Sequence, residues 1–170
     1  MLIISCNEEA SDYLGCLPIP QMTSASQDWF IASTNSQHSA WTSPTWWGAF
    51  FVSTQWGTNH CWHSQQIWAW SRAYSQIKLP KKSVARHLEI WARKNETATN
   101  LRPIRAFTLQ GSNDWTNFTT IKSVDGLGSS WSIGSIKTRD LDNSTSYLYY
   151  RLNVQAHQQY VAFDYWQITS

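Results

Sequence analysis

Charged side chains are scarce in this 170-residue chain. They make up 14 % of it, with 13 Lys and Arg against 11 Asp and Glu, which gives a net charge of +2. Disordered tails and coiled coils need far more charge, so the 42 % of hydrophobic residues indicates a folded chain, and its length is that of one domain. The small net charge also gives no reason to expect a polyanion or an anionic membrane as the partner.

Basic residues are few, but they form two clusters among the aromatic residues, at Lys81–Arg86 and at Arg93–Arg105. Such interleaving can bind single-stranded nucleic acid, because bases stack on exposed rings. The alternative is a solvated rim. Interspersed acidic residues favour the rim and therefore disfavour nucleic acid as a partner.

Cysteine and long apolar runs are also sparse. Cys6, Cys16 and Cys61 cannot all pair with one another; Cys6 and Cys16 could close a small loop, but a reducing site of synthesis fits the odd count equally well. The N-terminus has no basic residue and only Leu2–Ile4 as an apolar run, which predicts synthesis in the cytoplasm without a signal peptide. No stretch approaches the roughly 20 apolar residues that cross a bilayer, so we expect no membrane.

Catalytic and metal-binding motifs are missing as well. The chain has no Gly-x-Ser-x-Gly elbow, no His-Glu-x-x-His and no glycine-rich phosphate loop, so we expect no enzyme. His60, Cys61 and His63 are zinc-ligating residue types. However, adjacent His60 and Cys61 are hard to aim at one tetrahedral centre, and no second pair sits at ligand spacing, so we expect no zinc.

Aromatic residues, in contrast, are abundant. The chain holds 12 Trp, 7 Tyr and 6 Phe, 15 % of its residues, which is more than a compact core of this size needs. Some rings are therefore expected at the surface, where the flat apolar faces of Trp and Tyr suit the C–H faces of saccharides. The alternative is that the Trp residues fill a wide all-β core.

The chain divides into an N-terminal arm over residues 1–20 and a domain over residues 21–170. Pro18-Ile-Pro20 closes the arm and favours an extended backbone. Gln21–Ser64 is dense in Ser, Thr, Asn and Trp without periodicity, which predicts ordered loops between short strands.

Strand patterns are clear after Ala73, whereas only Ile67, Trp70, Ser71 and Tyr74 hint at helical spacing. Leu148, Tyr150, Leu152 and Val154 alternate with polar or amphipathic residues, as a half-buried strand requires. Many short strands in a chain of this size predict an all-β antiparallel sandwich or barrel. The predicted strands are Ser75–Leu79, stopping at Pro80, Leu88–Ala92, Ala106–Gln110, Phe118–Ile121, Tyr147–Val154 and Tyr160–Ile168.

The order of these segments resembles the discoidin, or coagulation-factor type C, domains and the related family 32 carbohydrate-binding modules. The most specific stretch is Pro103–Asp114, a strand entering a Gly-Ser-Asn-Asp turn; Tyr149–Leu152 and Val161–Ile168 are similar to the last two strands of these domains. Ile19–Ser24 is similar to the lead-in of many bacterial and bacteriophage members. The resemblance, from about Ile19 to Ile168, implies a galactose-binding-like jelly roll, an antiparallel β-sandwich.

The resemblance also implies a sugar site built from a His beside a Trp, an Arg at the end of a strand and an Asn. His63 in Cys61–Ser64 matches the His, Arg93 matches the Arg, and the stacking Trp expected three positions after the His is replaced by Gln66. Sugar hydroxyls both donate and accept, which suits imidazole, guanidinium and amide groups. The candidate carbohydrate-binding residues are His63, Arg93, Asn95, Asn100, Trp62, Trp68 and Tyr160.

A structural interpretation of the same residues stays open. His63 could cap a loop, and Arg93 could pair with Glu89 or Glu96 on the surface, because charged loop residues are usually solvated. In that case these side chains would stabilise the fold without binding a ligand.

The calcium site of many such domains is expected to be lost. The resemblance places it near an Ala-Phe-Asp-Gly segment and a Glu in the final strand. Here Ala49–Val52 has Phe51 at the Asp position, and Gln167 lies where the Glu would fall. Because calcium requires hard oxygen ligands, we expect neither calcium nor another cofactor.

These observations predict a non-catalytic protein that binds cell-surface, capsular or exopolysaccharide glycans through loops at one end of the sandwich. Without an export signal or an attached enzyme, the most economical setting is a subunit of a bacteriophage virion or similar assembly, displayed outside the cell, with residues 1–20 contacting virion or homo-oligomer partners. The alternative is a structural or decoration protein of a phage particle with a vestigial sugar site.

Overall fold

The computed structural model describes residues 19–37, 49–50, 61–65, 72–94, 102–127, 130–156 and 160–170. Regular structure in these ranges is almost entirely β, as the sequence predicts. The strands are β1 (Ser26–Gln27), β2 (Phe30–Thr34), β3 (Trp62–His63), β4 (Ala73–Ser83), β5 (His87–Trp91), β6 (Ile104–Ser112), β7 (Thr119–Val124), β8 (Ile136–Asp140), β9 (Tyr147–Ala156), β10 (Ala162–Phe163) and β11 (Tyr165–Thr169).

The described strands form three antiparallel sheets. The largest has six strands in the order β1-β2-β4-β9-β6-β7; a three-stranded sheet has the order β11-β5-β8, and β10 pairs with β3. The inward faces of these sheets share one apolar core, which includes Phe50, Trp62, Phe107 and Trp166. The predicted antiparallel β-sandwich is therefore confirmed.

The β9 strand shows how alternation produces this core. Tyr150, Leu152 and Val154 are each 0 % exposed, while Tyr149, Arg151 and Asn153 on the other face are partly exposed. Side chains that alternate in this way place an apolar row against the opposite sheet and a polar row on the outer face. The predicted face of this strand is confirmed, although Leu148 at its start is only partly buried.

The strand register defines two ends of the six-stranded sheet. At one end, which we call the Trp29 end, Ile31 pairs with Lys78, Lys78 with Tyr149, and Tyr149 with Ser112. The turn before β2 and the turn after β6 both project from this end.

The opposite end is called the His63 end. Thr34 at the end of β2 pairs with Ser75, and its Oγ1 accepts the Trp62 indole N–H at 3.0 Å. The β5 strand starts near the Trp29 end, because the Ala85 N–H donates to the Tyr150 hydroxyl at 3.1 Å. It therefore finishes, at Trp91, beside the His63 end.

Some sequence expectations differ from this structure or lie outside it. The β4 strand continues through Pro80 to Ser83, and the predicted strand Tyr160–Ile168 is divided at Asp164 into β10 and β11. Tyr74 belongs to β4 rather than to a helical turn, while Ile67, Trp70 and Ser71 are outside the described residues.

Most of the predicted N-terminal arm, with Cys6 and Cys16, also lies outside the described residues. The last part of the arm is described: Ile19 is 3 % exposed and belongs to the core. Met22, just after the arm, belongs to the core as well. In the described part of the chain, no helix is long and apolar enough to cross a membrane.

Candidate functional site

The short β3 strand brings His63 to the edge of the sandwich. His63 pairs with Ala162 in the β3–β10 ladder, the Ser64 N–H donates to the Val161 carbonyl at 3.0 Å, and the Val161 N–H donates to Ser64 Oγ at 3.1 Å. This ladder places Tyr160 next to His63, with their ring centroids 5.6 Å apart. Two of the predicted site residues are therefore neighbours in space.

The protonation of the His63 ring follows from its backbone contact. His63 Nδ1 lies 2.7 Å from the Ser64 carbonyl oxygen. Because a carbonyl oxygen only accepts, Nδ1 carries the proton, and in the neutral ring Nε2 is an acceptor. The Nε2 atom is itself buried, so a ligand on the surface does not reach it in this conformation.

Arg93 reaches the same end from the other sheet. It follows β5, and its carbonyl accepts the Gly134 N–H at 3.0 Å. One residue further, the Lys94 N–H donates to Asp164 Oδ2 at 3.0 Å, while the Asp164 N–H donates to the Trp91 carbonyl at 3.0 Å. Because Asp164 joins β10 to β11, these bonds attach the end of β5 to the His63 end.

Arg102 completes the group and was not among the predicted sugar-binding residues. Its carbonyl accepts the Ala162 N–H at 3.0 Å, and its guanidinium carbon lies 5.8 Å from the centre of the Tyr160 ring. The sequence placed Arg102 only in a basic cluster; its position before Pro103, at the start of the recognisable Pro103–Asp114 segment, is the signal that could have found it.

Burial separates these residues into two groups. His63 and Arg93 are each 3 % exposed, so they offer a ligand at most the edge of the side chain. Tyr160 and Arg102 are partly exposed and form the accessible part of the cluster. Buried polar groups with fixed neighbours are rigid, which lowers the entropic cost of using them in a binding site.

The suggestion that Trp62 supplies the stacking ring is wrong. Trp62 is 0 % exposed, its indole N–H donates to Thr34, and its ring packs 4.9 Å from that of Phe163. A ring enclosed in the core has no face for a sugar. Of the predicted rings that belong to the described residues, Tyr160 is the partly exposed one.

Several other predicted positions lie outside the described residues: Trp68, Asn95, Asn100, Gln66, Phe51 and His60. Cys61 is buried, and no group of three or more His, Cys, Asp or Glu side chains in the described ranges could hold a metal ion. Gln167, at the expected calcium position, donates to Glu89 Oε2 at 2.7 Å. The absence of calcium and zinc remains a prediction.

A small apolar crevice lies beside the cluster. It is lined by Ala92, Pro103, Ile104, Trp131, Ala162 and Phe163, and its cavity volume is about 10 Å³. That is room for one water molecule. A sugar therefore does not fit inside this crevice.

The chemistry of the cluster is that of a shallow polar surface with one ring. The partly exposed Arg102 guanidinium can donate and the Tyr160 ring offers an apolar face, while the His63 Nε2 atom and the Arg93 side chain are buried beneath them. Such a set can hold a polyhydroxylated ligand with modest affinity, because few contacts form at a shallow surface.

Comparison with known proteins places this architecture in a fold class. No protein-family model matches the chain, and no curated protein matches it in sequence. Among solved structures, CpGH89CBM32-5 from Clostridium perfringens, in complex with GalNAc-β-1,3-galactose, is similar with a TM-score of 0.62 and 17 % identity. The match covers 83 % of this chain and 95 % of that one.

Two further structures give the same result. The family 32 carbohydrate-binding module of C. perfringens NanJ, in complex with galactose, has a TM-score of 0.60 and 14 % identity over 83 % of this chain and 93 % of that one. A chitosan-binding module of a Paenibacillus chitosanase/glucanase has a TM-score of 0.61 and 16 % identity over 82 % and 94 %. The chain therefore has the discoidin-like β-sandwich fold of the family 32 carbohydrate-binding modules, as the sequence resemblance implied.

Proposed function

We propose that this protein is a non-catalytic carbohydrate-binding protein that recognises cell-surface, capsular or exopolysaccharide glycans at the His63 end. The observation that carries the proposal is the meeting of His63, Tyr160 and Arg102 around β10, in a fold whose solved examples include modules bound to galactose-containing sugars.

The individual roles follow from exposure and chemistry. The Tyr160 ring stacks on the apolar face of a pyranose, while the Arg102 guanidinium donates to a hydroxyl or ring oxygen. His63 and Arg93 lie beneath this surface and contact the ligand only through the edges of their side chains. Asn95, Asn100 and Trp68 remain candidates for further contacts.

The setting in a bacteriophage virion or another assembly is also part of the proposal. In that setting the protein is made in the cytoplasm and reaches the outer surface with the particle, and residues 1–20 contact other subunits. The support is the sequence: the acidic, proline-closed segment over residues 1–20 differs in composition from the domain that follows.

A structural role in an assembly, with a vestigial sugar site, is the second candidate. Its support is the 3 % exposure of both His63 and Arg93, since side chains this well covered contribute to packing whether or not a ligand binds. The two candidates make opposite predictions for glycan binding by the isolated protein.

A glycan array with galactose, GalNAc-β-1,3-galactose and chitooligosaccharides among its ligands tests the proposal. Wild type is compared with Tyr160→Ala and Arg102→Ala, and with Arg86→Ala as a matched control, because Arg86 is exposed near the Trp29 end. We expect the first two variants to lose most binding and the control to keep it. Thermal unfolding of each variant verifies that the fold is intact.

Two outcomes would overturn the assignment. If folded wild-type protein binds no glycan, the structural role is favoured. If glycan binding is unchanged in Tyr160→Ala and Arg102→Ala, the sugar site lies elsewhere on the molecule.

A further inference from the structure

Two exposed tryptophans at the Trp29 end have an unusual backbone conformation. Trp29 is 84 % exposed with φ of 68°, and Trp115 is 41 % exposed with φ of 69°. Left-handed φ values are costly for side chains other than Gly, Asn and Asp, and a bulky residue there indicates strain. Strain retained at an exposed ring points to a role in binding, because Gly would satisfy both turns without it.

The strand register places the turns that carry these two tryptophans at the two ends of one row of the outer sheet face. Ile31 pairs with Lys78, Lys78 with Tyr149, and Tyr149 with Ser112 at the end of β6. Trp29 lies in the turn just before Ile31, and the Trp115 ring makes an edge-to-face contact with Tyr149 at 5.2 Å. We call Trp29, Ile31, Lys78, Tyr149 and Trp115 the aromatic strip.

The strip is longer than a single sugar ring, so only a chain of several sugars can reach both of its ends. Ile31 and Ser112 are separated by three strand spacings, which is about 14 Å. The Trp115 and Tyr149 rings meet at an interplanar angle of 86°, and Trp115 is 41 % exposed. The turns that carry the two indoles therefore lie at the two ends of a row, formed by Ile31, Lys78 and Tyr149, that crosses the sheet.

A polar row lies directly beside the strip. Gln76 donates to Ser33 Oγ at 3.2 Å, and Arg151 Nε donates to Gln76 Oε1 at 2.8 Å. The Arg151 guanidinium lies 4.1 Å from the centre of the Tyr74 ring and 3.6 Å from that of Phe118. This packing fixes the guanidinium, so its remaining N–H donors are preorganised beside the aromatic strip.

Charged groups of both signs in and beside the strip bear on which ligands it accepts. Asp28 precedes Trp29, and Asp114 precedes Trp115. The Asn117 side chain and the Asn117 and Thr116 N–H groups donate to the Asp114 carboxylate, which holds its pKa well below the ordinary value. The Asp28 and Asp114 carboxylates at the ends and the Lys78 and Arg151 cations between them balance in formal charge, so neither an acidic nor a basic chain is favoured and the ligand that fits is uncharged.

We propose that the aromatic strip is a second binding face, distinct from the His63 end, that takes a linear, neutral polysaccharide lying across the strands. The inference rests on the proposed function only for the class of ligand. Trp29 and Trp115 stack on sugar rings at the two ends, and the Arg151 row supplies donors between them. Ligands long enough to reach both rings bind, whereas a monosaccharide does not span the strip.

Native gels containing hydroxyethyl cellulose or β-1,4-galactan test the strip. The proteins are wild type, Trp29→Gly, Trp115→Gly and the double variant, with Ile136→Ala as a control because Ile136 is 49 % exposed on the other sheet. We expect retardation of wild type in at least one gel, about tenfold weaker binding for each Gly variant, and wild-type behaviour of the control. Since Gly accepts left-handed φ, the melting temperature of Trp29→Gly should be equal to or above that of wild type.

The outcomes separate this inference from the proposed function. Loss of galactose binding in Tyr160→Ala with unchanged gel retardation supports two separate faces. The strip is overturned if wild type is not retarded in either gel, whatever the array result, or if the double variant is retarded like wild type. It is also overturned if the Gly variants change only the sedimentation coefficient, because the strip is then a self-association surface.

Discussion

Asp164 and Lys94 are joined across the His63 end by a hydrogen bond from the Lys94 N–H to Asp164 Oδ2, at 3.0 Å. With the Asp164 N–H donating to the Trp91 carbonyl, the connection fixes the end of β5 against the junction of β10 and β11. The relative position of Arg93 and Tyr160 therefore depends on a side chain that we do not place in contact with the ligand.

Replacing Asp164 tests this connection. Asp164→Ala leaves the Lys94 N–H without this acceptor, and we predict a loss of about 1–2 kcal/mol in the free energy of unfolding, measured in urea. Glycan binding should weaken as well. Asp164→Asn keeps an acceptor oxygen and should retain most of the stability and most of the glycan binding. Equal losses in the two variants would show that the charge of Asp164, rather than its hydrogen bond, stabilises this end.

Close packing near the end of β6 requires glycine at position 111. A Cβ at this position would overlap the Tyr147 ring, which is partly buried and packs on the core. We predict that Gly111→Ala lowers the free energy of unfolding by about 1–3 kcal/mol, because the ring must move. Tyr147→Ala removes the ring that the added methyl group would overlap. Adding Gly111→Ala to Tyr147→Ala should therefore lower the free energy of unfolding by less than Gly111→Ala lowers it in wild type. Equal losses in the two backgrounds would contradict this explanation.

Tyr150 connects β9 to the segment that joins β4 and β5. Its hydroxyl donates to the Ser83 carbonyl at 2.5 Å and accepts the Ala85 N–H at 3.1 Å, while its side chain is 0 % exposed. Tyr150→Phe leaves both backbone groups without this partner and should cost about 1–3 kcal/mol in urea unfolding. A loss below about 0.5 kcal/mol would mean that these hydrogen bonds contribute little.

Stability should fall at high pH because of two buried tyrosines. Burial raises the pKa of Tyr150 to about 12, and burial together with the nearby Glu89 carboxylate raises the pKa of Tyr165 to about 12, from 10.0 in each case. Between pH 10 and pH 12 the folded state therefore binds more protons than the unfolded state. The stabilisation is complete below pH 10 and is lost as the pH rises towards 12. Urea unfolding at pH 9 and pH 11 checks this, and a smaller decrease in Tyr150→Phe is expected.

The long strands were predictable because one face of each is buried. In β6 and β9 the apolar residues alternate, and the structure extends the predicted segments by a few residues at their ends. Pro80 suggested an end to β4, yet the strand passes through it. The register shifts between Lys78 and Ser83, and a bulge needs no ladder N–H from proline.

Among the strands that sequence reasoning missed, β8 lacks a buried apolar row and β3 is very short. Every residue of β8 is exposed or partly exposed, including Ile136, so this edge strand depends on backbone pairing with β5 rather than on apolar alternation. The two-residue strand β3 is too short to have a period. Its position is determined by pairing with β10, about 100 residues further along the chain.

The candidate site was partly predictable for a similar reason. The resemblance identified His63, and the structure places Tyr160 beside it. The resemblance could not distinguish buried rings from exposed ones, because residue type alone does not determine burial. Trp62 is enclosed by the core, whereas Trp29 is exposed at a turn. Asp164 shows a weak signal, an acidic residue that interrupts an otherwise apolar C-terminal run.

Titration of ¹⁵N-labelled protein with galactose and with GalNAc-β-1,3-galactose, followed by amide NMR spectra, tests sugar recognition at the His63 end most directly. We predict saturable shifts concentrated in the amides of residues 63–64, 91–94, 102 and 160–164, with the Trp29 indole unaffected by either short sugar. Unchanged spectra at saturating sugar, or shifts confined to other parts of the molecule, would contradict it.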